Sequence, residues 1–353
     1  MNHPYTFDPL PQPVVGPGEF RFAAVGLDHG HIYGMTDGLI QAGAEVSCVY
    51  DADAERAENF AKRYPTARVA SSEQEILDDP DVRMVATAAV ASERAPISLR
   101  AIEAGKHAFV DKAPLTSFEQ LEAAREATAR TGLKYAVYYG ERLHTESAVL
   151  AGQLIERGAI GRVLQVASFG PHRIGGGRPE WFYDKPRYGG ILCDIGSHNF
   201  DQILYYTGAT DGRILSSTIA NYAHPETPDL DDFGDAHVAL DNGASGYVRV
   251  DWFTPDGLGV FGDGRTIILG TDGYIELRKY IDITTDNGGG QVLLVNQEGQ
   301  YRFNANGMTG FPYFGQLIRD CLDGTENAMT QAHAFKAAEL SLQAQAAAEV
   351  LAP

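Results

Sequence analysis

The stretch AVGLDHGHIYG, residues 24 to 34, follows the apolar run FRFAAVG (20 to 26) and leads into YGMTDGLIQAG, an amphipathic segment that closes on Gly43. A strand, a glycine turn and a helix in that order form the first step of a doubly wound α/β sheet. The next apolar run, AEVSCVYD, ends on Asp51 about 25 residues beyond Gly26, which is the setting of a dinucleotide-binding turn. There Gly26 supplies the tight turn, backbone N–H groups at the helix start face a pyrophosphate, and Asp51 accepts hydrogen bonds from the adenosine ribose hydroxyls. A carboxylate at position 51 repels a 2′-phosphate, and Ala52 and Asp53 follow with no arginine at once to receive one. NAD is therefore expected over NADP.

The loop departs from G-x-G-x-x-G, because Asp28 stands at the second glycine and His31 at the third, leaving Gly30 one place early. Asp28 is expected to turn away from the phosphates and cap the helix, while His29 or His31 donates to a phosphate or faces the substrate cleft. Gly26, Asp28, His29, Gly30, His31 and Asp51 make up the expected cofactor loop. Two blander readings stand beside it: a glycine turn with no cofactor, and a metal held by Asp28, His29 and His31. Alternating residues on a turn rarely converge, so no metal is expected.

Outward from this turn, strand and helix patterns continue to alternate. DAERAENFAKRY is stopped by Pro65, a short helix lies around Gln74 to Leu77, and VRMVATAA, HAFVDK and KYAVYY read as strands separated by helices ending near Gly105 and Thr131. Beyond about residue 145 the texture changes to longer β-rich segments with glycine-centred turns such as Asp241-Asn242-Gly243, as in antiparallel hairpins. The expected class is α/β: an N-terminal Rossmann-type parallel sheet and a C-terminal α/β domain with a large, mainly antiparallel open sheet. The expected divisions are an extended arm at 1–19, a dinucleotide-binding domain at 20–140, a substrate-binding and oligomerisation domain at 141–330, and a C-terminal helix at 331–353 packing back on the first domain.

Composition narrows the function classes. The 353 residues exceed one ordinary core and carry 44% hydrophobic residues, with 17 Tyr and 16 Phe. No apolar run of about 18 residues suggests a membrane span. The Pro-rich start lacks the basic and apolar regions of a secretory signal. Cys48, Cys193 and Cys321 are far apart with no CxxC spacing, which fits a reducing cytoplasm. With 28 Lys and Arg against 47 Asp and Glu, the formal charge of −19 repels nucleic acid and anionic membranes, and neither is an expected partner.

Two further motifs carry chemistry. VDKAPL (110 to 115) places Lys112 at the carboxyl end of a strand, where open α/β sheets bind ligands, and a cis bond at Pro114 is possible there. In GGILCDIGSHNFDQILYYTG (189 to 208), Asp194 and His198 lie four apart and share one face of a helix. Oxidation of an alcohol needs a base for the hydroxyl proton as hydride leaves, which suits His198; an ammonium such as Lys112 stabilises the developing alkoxide, and Asp194 orients substrate or base. The bland alternative is an acidic helix cap at Asp194 and a satisfied core histidine at His198.

From Phe20 to the carboxyl terminus the sequence resembles the Gfo/Idh/MocA family of NAD(P)-dependent sugar and polyol oxidoreductases. That family usually carries E-K-P where this chain has Asp111, Lys112, Ala113 and Pro114, and its Gly-Gly and D-x-x-x-H pattern is present as Gly189, Gly190, Asp194 and His198. The resemblance implies that Lys112, Asp194 and His198 line the site over the nicotinamide, with His198 as proton acceptor and a sugar, sugar derivative or cyclitol as substrate. It implies a homodimer or homotetramer packed through the second-domain sheets, and a pocket shaped by RPEWFYD (178 to 184). His172, Arg178, Trp181 and Tyr183 are the expected substrate contacts, although the aromatic residues equally suit packing at the domain junction. Two other classes stay open: a non-catalytic NAD- or sugar-binding sensor, and a glycoside-cleaving enzyme that oxidises its substrate transiently.

Overall fold

The computed structural model describes residues 4–175, 178–285 and 288–352. The first three residues of the expected arm and the last residue of the expected C-terminal helix lie outside these. The chain forms two compact units, one of Pro11–Tyr138 with Pro312–Phe335, the other of Met1–Leu10, Tyr139–Phe311 and Lys336–Pro353.

The first unit alternates β1 (Arg21–Val25), α1 (His31–Gln41), β2 (Glu45–Tyr50), α2 (Ala54–Arg63), β3 (Arg68–Val69), α3 (Glu73–Asp78), β4 (Val82–Thr87), α4 (Ala91–Glu103), β5 (His107–Asp111), α5 (Phe118–Thr131) and β6 (Tyr135–Tyr138). Local chemistry sets the ends. Asp53 caps α2 by accepting from the N–H groups of Glu55 and Arg56, while Ser72 and Ser117 cap α3 and α5, and Gly132 closes α5 in the left-handed region. All strand pairs are parallel in the order β3-β2-β1-β4-β5-β6, as expected for a Rossmann sheet. The order reverses between β1 and β4, which puts the 24 to 34 stretch at the switch point where such sheets bind ligands.

The second unit continues with α6 (Gly140–Leu143), α7 (Glu146–Glu156), β7 (Val163–Pro171), a 3₁₀ turn (Glu180–Tyr183), α8 (Lys185–Tyr188), α9 (Ile191–Asp194) and α10 (Gly196–Thr207). The strands β8 (Gly212–Ala220), β9 (Phe233–Leu240), β10 (Ser245–Asp251), β11 (Arg265–Gly270), β12 (Gly273–Arg278), β13 (Gln291–Asn296) and β14 (Gly299–Asn304) follow. Then α11 (Pro312–Asp323), in the first unit, precedes α12 (Gln331–Ala347) and β15 (Glu349–Leu351). The nine strands run β14-β13-β12-β11-β7-β10-β9-β8-β15, with β7 parallel to β10, β8 parallel to β15, and the other pairs antiparallel. Burial alternates along β9, β10 and β11, as it must when one face is covered, and α10 lies against β7 and β10.

The expected helix at 331–353 is corrected at its end: it stops at Ala347, and Glu349–Leu351 add a parallel strand beside β8. From Lys336 onward it belongs to the sheet-bearing unit, not the first. Its polar residues explain this, since Lys336 pairs with Asp211 at 2.9 Å, Gln345 accepts from the Leu192 N–H, and the Ala344 carbonyl accepts from Ser217. The arm has no regular structure over its described residues, yet it is anchored: Tyr5 and Phe7 meet Tyr301 and Phe303 edge-on, and Arg157 pairs with Asp8.

Candidate active site

In the first unit, Gly26 ends β1 with φ +71°, donates to the Tyr50 carbonyl and accepts from the Ala88 N–H. A Cβ here would sit 2.6 Å from that of Ala89, so the turn admits only glycine. Gly30 is different: it is the N-cap residue of α1 at φ −62°, and a Cβ there would meet nothing within 4 Å. Asp51 follows β2 and is buried, with Oδ2 accepting from the Leu27 N–H at 2.6 Å and Oδ1 from the Asp53 N–H at 2.8 Å. It therefore ties the glycine turn to the end of β2. The steric need at Gly26 and the carboxylate at the end of β2 are what a dinucleotide loop requires, so these residues fit the adenosine half of NAD.

Asp28 does not cap α1, which corrects the expectation drawn from its sequence position. It pairs with Arg56 of α2, whose Nη1 donates to Asp28 Oδ1 at 2.7 Å while Nε donates to Asp51 Oδ1 at 3.1 Å. A guanidinium between two carboxylates is a stronger attraction than an N–H at a helix end. Arg56 was not expected, although it stands five residues after Asp51, one turn into α2.

His29 and His31 converge after all, on Asp111 at the end of β5. Each Nδ1 takes its own oxygen, His29 on Oδ2 at 2.7 Å and His31 on Oδ1 at 2.8 Å, with the rings 4.1 Å apart. These three side chains could hold a metal ion, since their ligand atoms lie within 4.8 Å. Against this, each imidazole meets a separate oxygen at hydrogen-bond distance, and Arg94 already supplies a cation 3.1 Å from Oδ2. Burial, with His31 beside it, pushes His29 down to about 3, so its ring is neutral at pH 7. Burial alone would raise the Asp111 carboxyl, but His31, Arg94 and His29 outweigh it and hold it well below the usual range.

The neutral His29 makes stability depend on pH. Between its ordinary value near 6.5 and about 3 the unfolded chain binds the extra proton, so this contribution is full above 6.5 and falls by about 1.4 kcal/mol per pH unit as acid is added. Urea unfolding of wild type and His29→Gln at pH 6.5 and 4.5 checks this. The variant is expected to lose less stability over that interval; equal losses would contradict a neutral His29.

Lys112 is buried directly after β5, and its N–H donates to Asp111 Oδ1 at 2.8 Å. Arg94 of α4 fixes the backbone around it: Nη1 donates to the carbonyls of Lys112 and Ala113, and Nε donates to the Ala89 carbonyl at 2.7 Å. The cis bond is Lys112–Ala113 rather than the bond before Pro114. Arg94 does carry a sequence signal: it interrupts the buried stripe Ala91, Ala95, Ser98, Ala101 and Ile102 of α4. The family's longer glutamate is an aspartate here, and the guanidinium reaches it.

In the second unit, Gly189 and Gly190 both have φ near +88° and form the turn between α8 and α9. Asp194 ends α9 and His198 lies in the first turn of α10; Ile195 between the helices keeps right-handed helical angles, so the one-face relation survives the break. Both side chains are buried. His198 lies edge-on to Tyr139 at 6.4 Å between centroids. Below it runs a buried polar network: Lys279 Nζ meets Glu141 Oε2 at 2.7 Å, and Gln202 donates to Glu141 at 3.4 Å and to the His198 carbonyl at 3.0 Å while accepting from Thr266. Burial would raise Glu141, but Lys279 and then His198 outweigh it and bring it down to about 2. An ionised carboxylate near His198 favours the charged imidazole that a proton acceptor becomes.

The expected substrate contacts cluster in this same unit. Arg178 lies over Trp252 at 4.4 Å and Phe182 at 4.7 Å and donates to the Ile174 and Arg173 carbonyls. Burial lowers its guanidinium, and Asp194 partly offsets this. His172 meets Trp252 and Phe261, and Trp181 is buried and stacked on Phe182 at 4.0 Å between centroids. Tyr183 ends the 3₁₀ turn and is half-buried. Trp252, unforeseen, comes from the end of β10, far away in sequence.

Comparison with known proteins agrees with this architecture. The description of an oxidoreductase family with an NAD-binding Rossmann fold matches residues 14–139, and that of the GFO/IDH/MocA C-terminal domain matches 149–276. The scyllo-inositol 2-dehydrogenase (NAD(+)) of Bacillus subtilis (strain 168) is 27% identical over 316 residues, 86% of this chain and 87% of that enzyme. A crystal structure from Erwinia carotovora atroseptica SCRI1043, described only as an oxidoreductase, is 50% identical with a TM-score of 0.92 and covers 95% of this chain and 100% of its own. Levoglucosan dehydrogenase in complex with NADH and levoglucosan shares the fold at a TM-score of 0.76 and 20% identity, over 93% of this chain and 97% of that one. The chain belongs to the GFO/IDH/MocA family of oxidoreductases, and its first unit is an NAD-binding Rossmann domain.

Proposed function

We propose that this oxidoreductase transfers a hydride reversibly between a secondary hydroxyl of a sugar, sugar derivative or cyclitol and NAD. The observation that carries the reading is the buried Asp194 and His198, four residues apart at the end of α9 and the start of α10, with the Glu141 carboxylate electrostatically coupled to His198. NAD, when bound, accepts the hydride. His198 takes the hydroxyl proton, Lys112 stabilises the developing alkoxide, and Asp194 orients the substrate. Gly26, Asp28, His29, Gly30, His31, Asp51 and Lys112 serve the cofactor; His172, Arg178, Trp181 and Tyr183, joined by Trp252, serve the substrate. Residues 20–140 are assigned to the cofactor and 141–330 to substrate binding and self-association.

The substrate class is supported by the scyllo-inositol and levoglucosan relatives. A homodimer or homotetramer is supported by Leu215, Ile267, Leu269 and Tyr274, apolar side chains exposed on strands of the second sheet. No helix among the described residues is long and apolar enough to cross a membrane, and a cytoplasmic enzyme is the proposed setting. The test is NADH formation from a panel of sugars and cyclitols. Turnover of at least one, weakened by Asp51→Ala chiefly through the KM for NAD, is the expected result. Tight NAD binding without turnover of any member would favour the sensor reading.

A further inference from the structure

Asp28 occupies the position of the loop's second glycine, and its carboxylate is committed to a single guanidinium. Arg56 reaches Asp28 through Nη1 at 2.7 Å, Asp51 through Nη2 at 3.0 Å and Asp53 through Nε at 3.7 Å. Asp51 is anchored by the Leu27 N–H on Oδ2 and by the Asp53 N–H on the same Oδ1 that Arg56 meets, so backbone contacts hold it in place if the arginine moves. Arg56 is more open to solvent than the two carboxylates it bridges, 39% exposed against 19% for Asp28 and 2% for Asp51. An arginine beside this acidic position is the group that accommodates the 2′-phosphate of NADP in Rossmann folds. In this chain the arginine is present, but its Nε, Nη1 and Nη2 each already face a carboxylate.

We propose that Asp28 is a cofactor-selectivity residue: it holds Arg56 against Asp51 and so withholds the guanidinium from a 2′-phosphate. This rests on the reading of the first unit as the NAD site and extends it. Asp51 alone excludes the phosphate by repulsion, while the clasp removes the counter-charge that would compensate it. It also accounts for an acidic residue where the usual loop has glycine, since an Asp28 neutralised by Arg56 presents less negative charge to a pyrophosphate than an unpaired one.

The test is calorimetric titration of the full chain with NAD and NADP, in wild type, Asp28→Asn, Asp28→Gly and Asp28→Gly/Arg56→Met, with thermal unfolding to verify the fold. Asn removes the charge at constant size; Gly removes the side chain. Wild type is expected to prefer NAD. Asp28→Gly is expected to raise affinity for NADP relative to NAD by tenfold or more, Asp28→Asn by less, and Arg56→Met is expected to erase the gain. A ratio unchanged within twofold in both single variants, with NAD still bound, would overturn the inference, as would a gain that persists without Arg56. A wild type that binds neither nucleotide would overturn the NAD-site reading itself.

Discussion

His198→Ala and Lys112→Ala are each expected to lower kcat/KM by about 10²- to 10⁴-fold, the range over which a positioned general acid or base accelerates a reaction. The two losses should differ in kind. Without His198 the hydroxyl proton has no acceptor, so the loss should shrink as pH rises and solvent hydroxide takes over the proton. Without Lys112 the alkoxide loses its counter-charge, and the loss should persist across pH. Because both side chains are buried, His198→Asn and Lys112→Met are the controls for packing, and unfolding curves close to wild type show that the fold survives. Near-normal rates in both alanine variants would remove them from the chemistry. A loss confined to the KM for NAD in Lys112→Ala would make that residue a cofactor contact only.

The largest effect on stability is expected at Arg142. Its guanidinium grips Asp201 of α10 through two hydrogen bonds, Nε to Oδ2 at 2.6 Å and Nη2 to Oδ1 at 2.7 Å, with both side chains buried. Burial alone would lower Arg142, but Asp201 outweighs it and raises it above its ordinary value. Tyr205 adds a ring face 4.3 Å from the guanidinium. Removing one member of a buried pair strands the other, at a cost of about 3–5 kcal/mol. Arg142→Met should therefore unfold at markedly lower urea, and Arg142→Met/Asp201→Leu should recover much of the loss because no buried charge remains. A small effect in the single variant would mean that water reaches Asp201. The helix that the pair holds, α10, also carries His198, the proposed proton acceptor.

The parts of this arrangement that sequence could reveal are those set by local rules. The β1 turn, the alternation of strands and helices and the glycine turn before Asp194 follow from alternating apolar runs, caps and positive-φ glycines, each read within a few residues. What escaped depends on pairing over distance. Arg56 meets Asp28 because β1 and β2 are neighbours, and no spacing rule foretells which of three nearby aspartates it prefers. Glu141 and Lys279 lie 138 positions apart and meet only through the second unit's tertiary packing. The convergence of His29 and His31 was missed because their partner, Asp111, belongs to a strand two places away in the sheet. The C-terminal helix was overrun because AQAAAEVL contains no glycine or proline to stop it; its end is set by the pairing of Val350 with Ile219 on β8.

The most direct measurement follows the hydride itself: NAD and the purified protein are incubated with sugars and cyclitols carrying deuterium on their ring carbons, and the NADH formed is examined by mass spectrometry. The account predicts deuterated NADH from at least one cyclitol or sugar, formed by wild type and about 10²- to 10⁴-fold more slowly by His198→Ala. NAD bound at saturation, with no label transferred from any member of the panel, would contradict it.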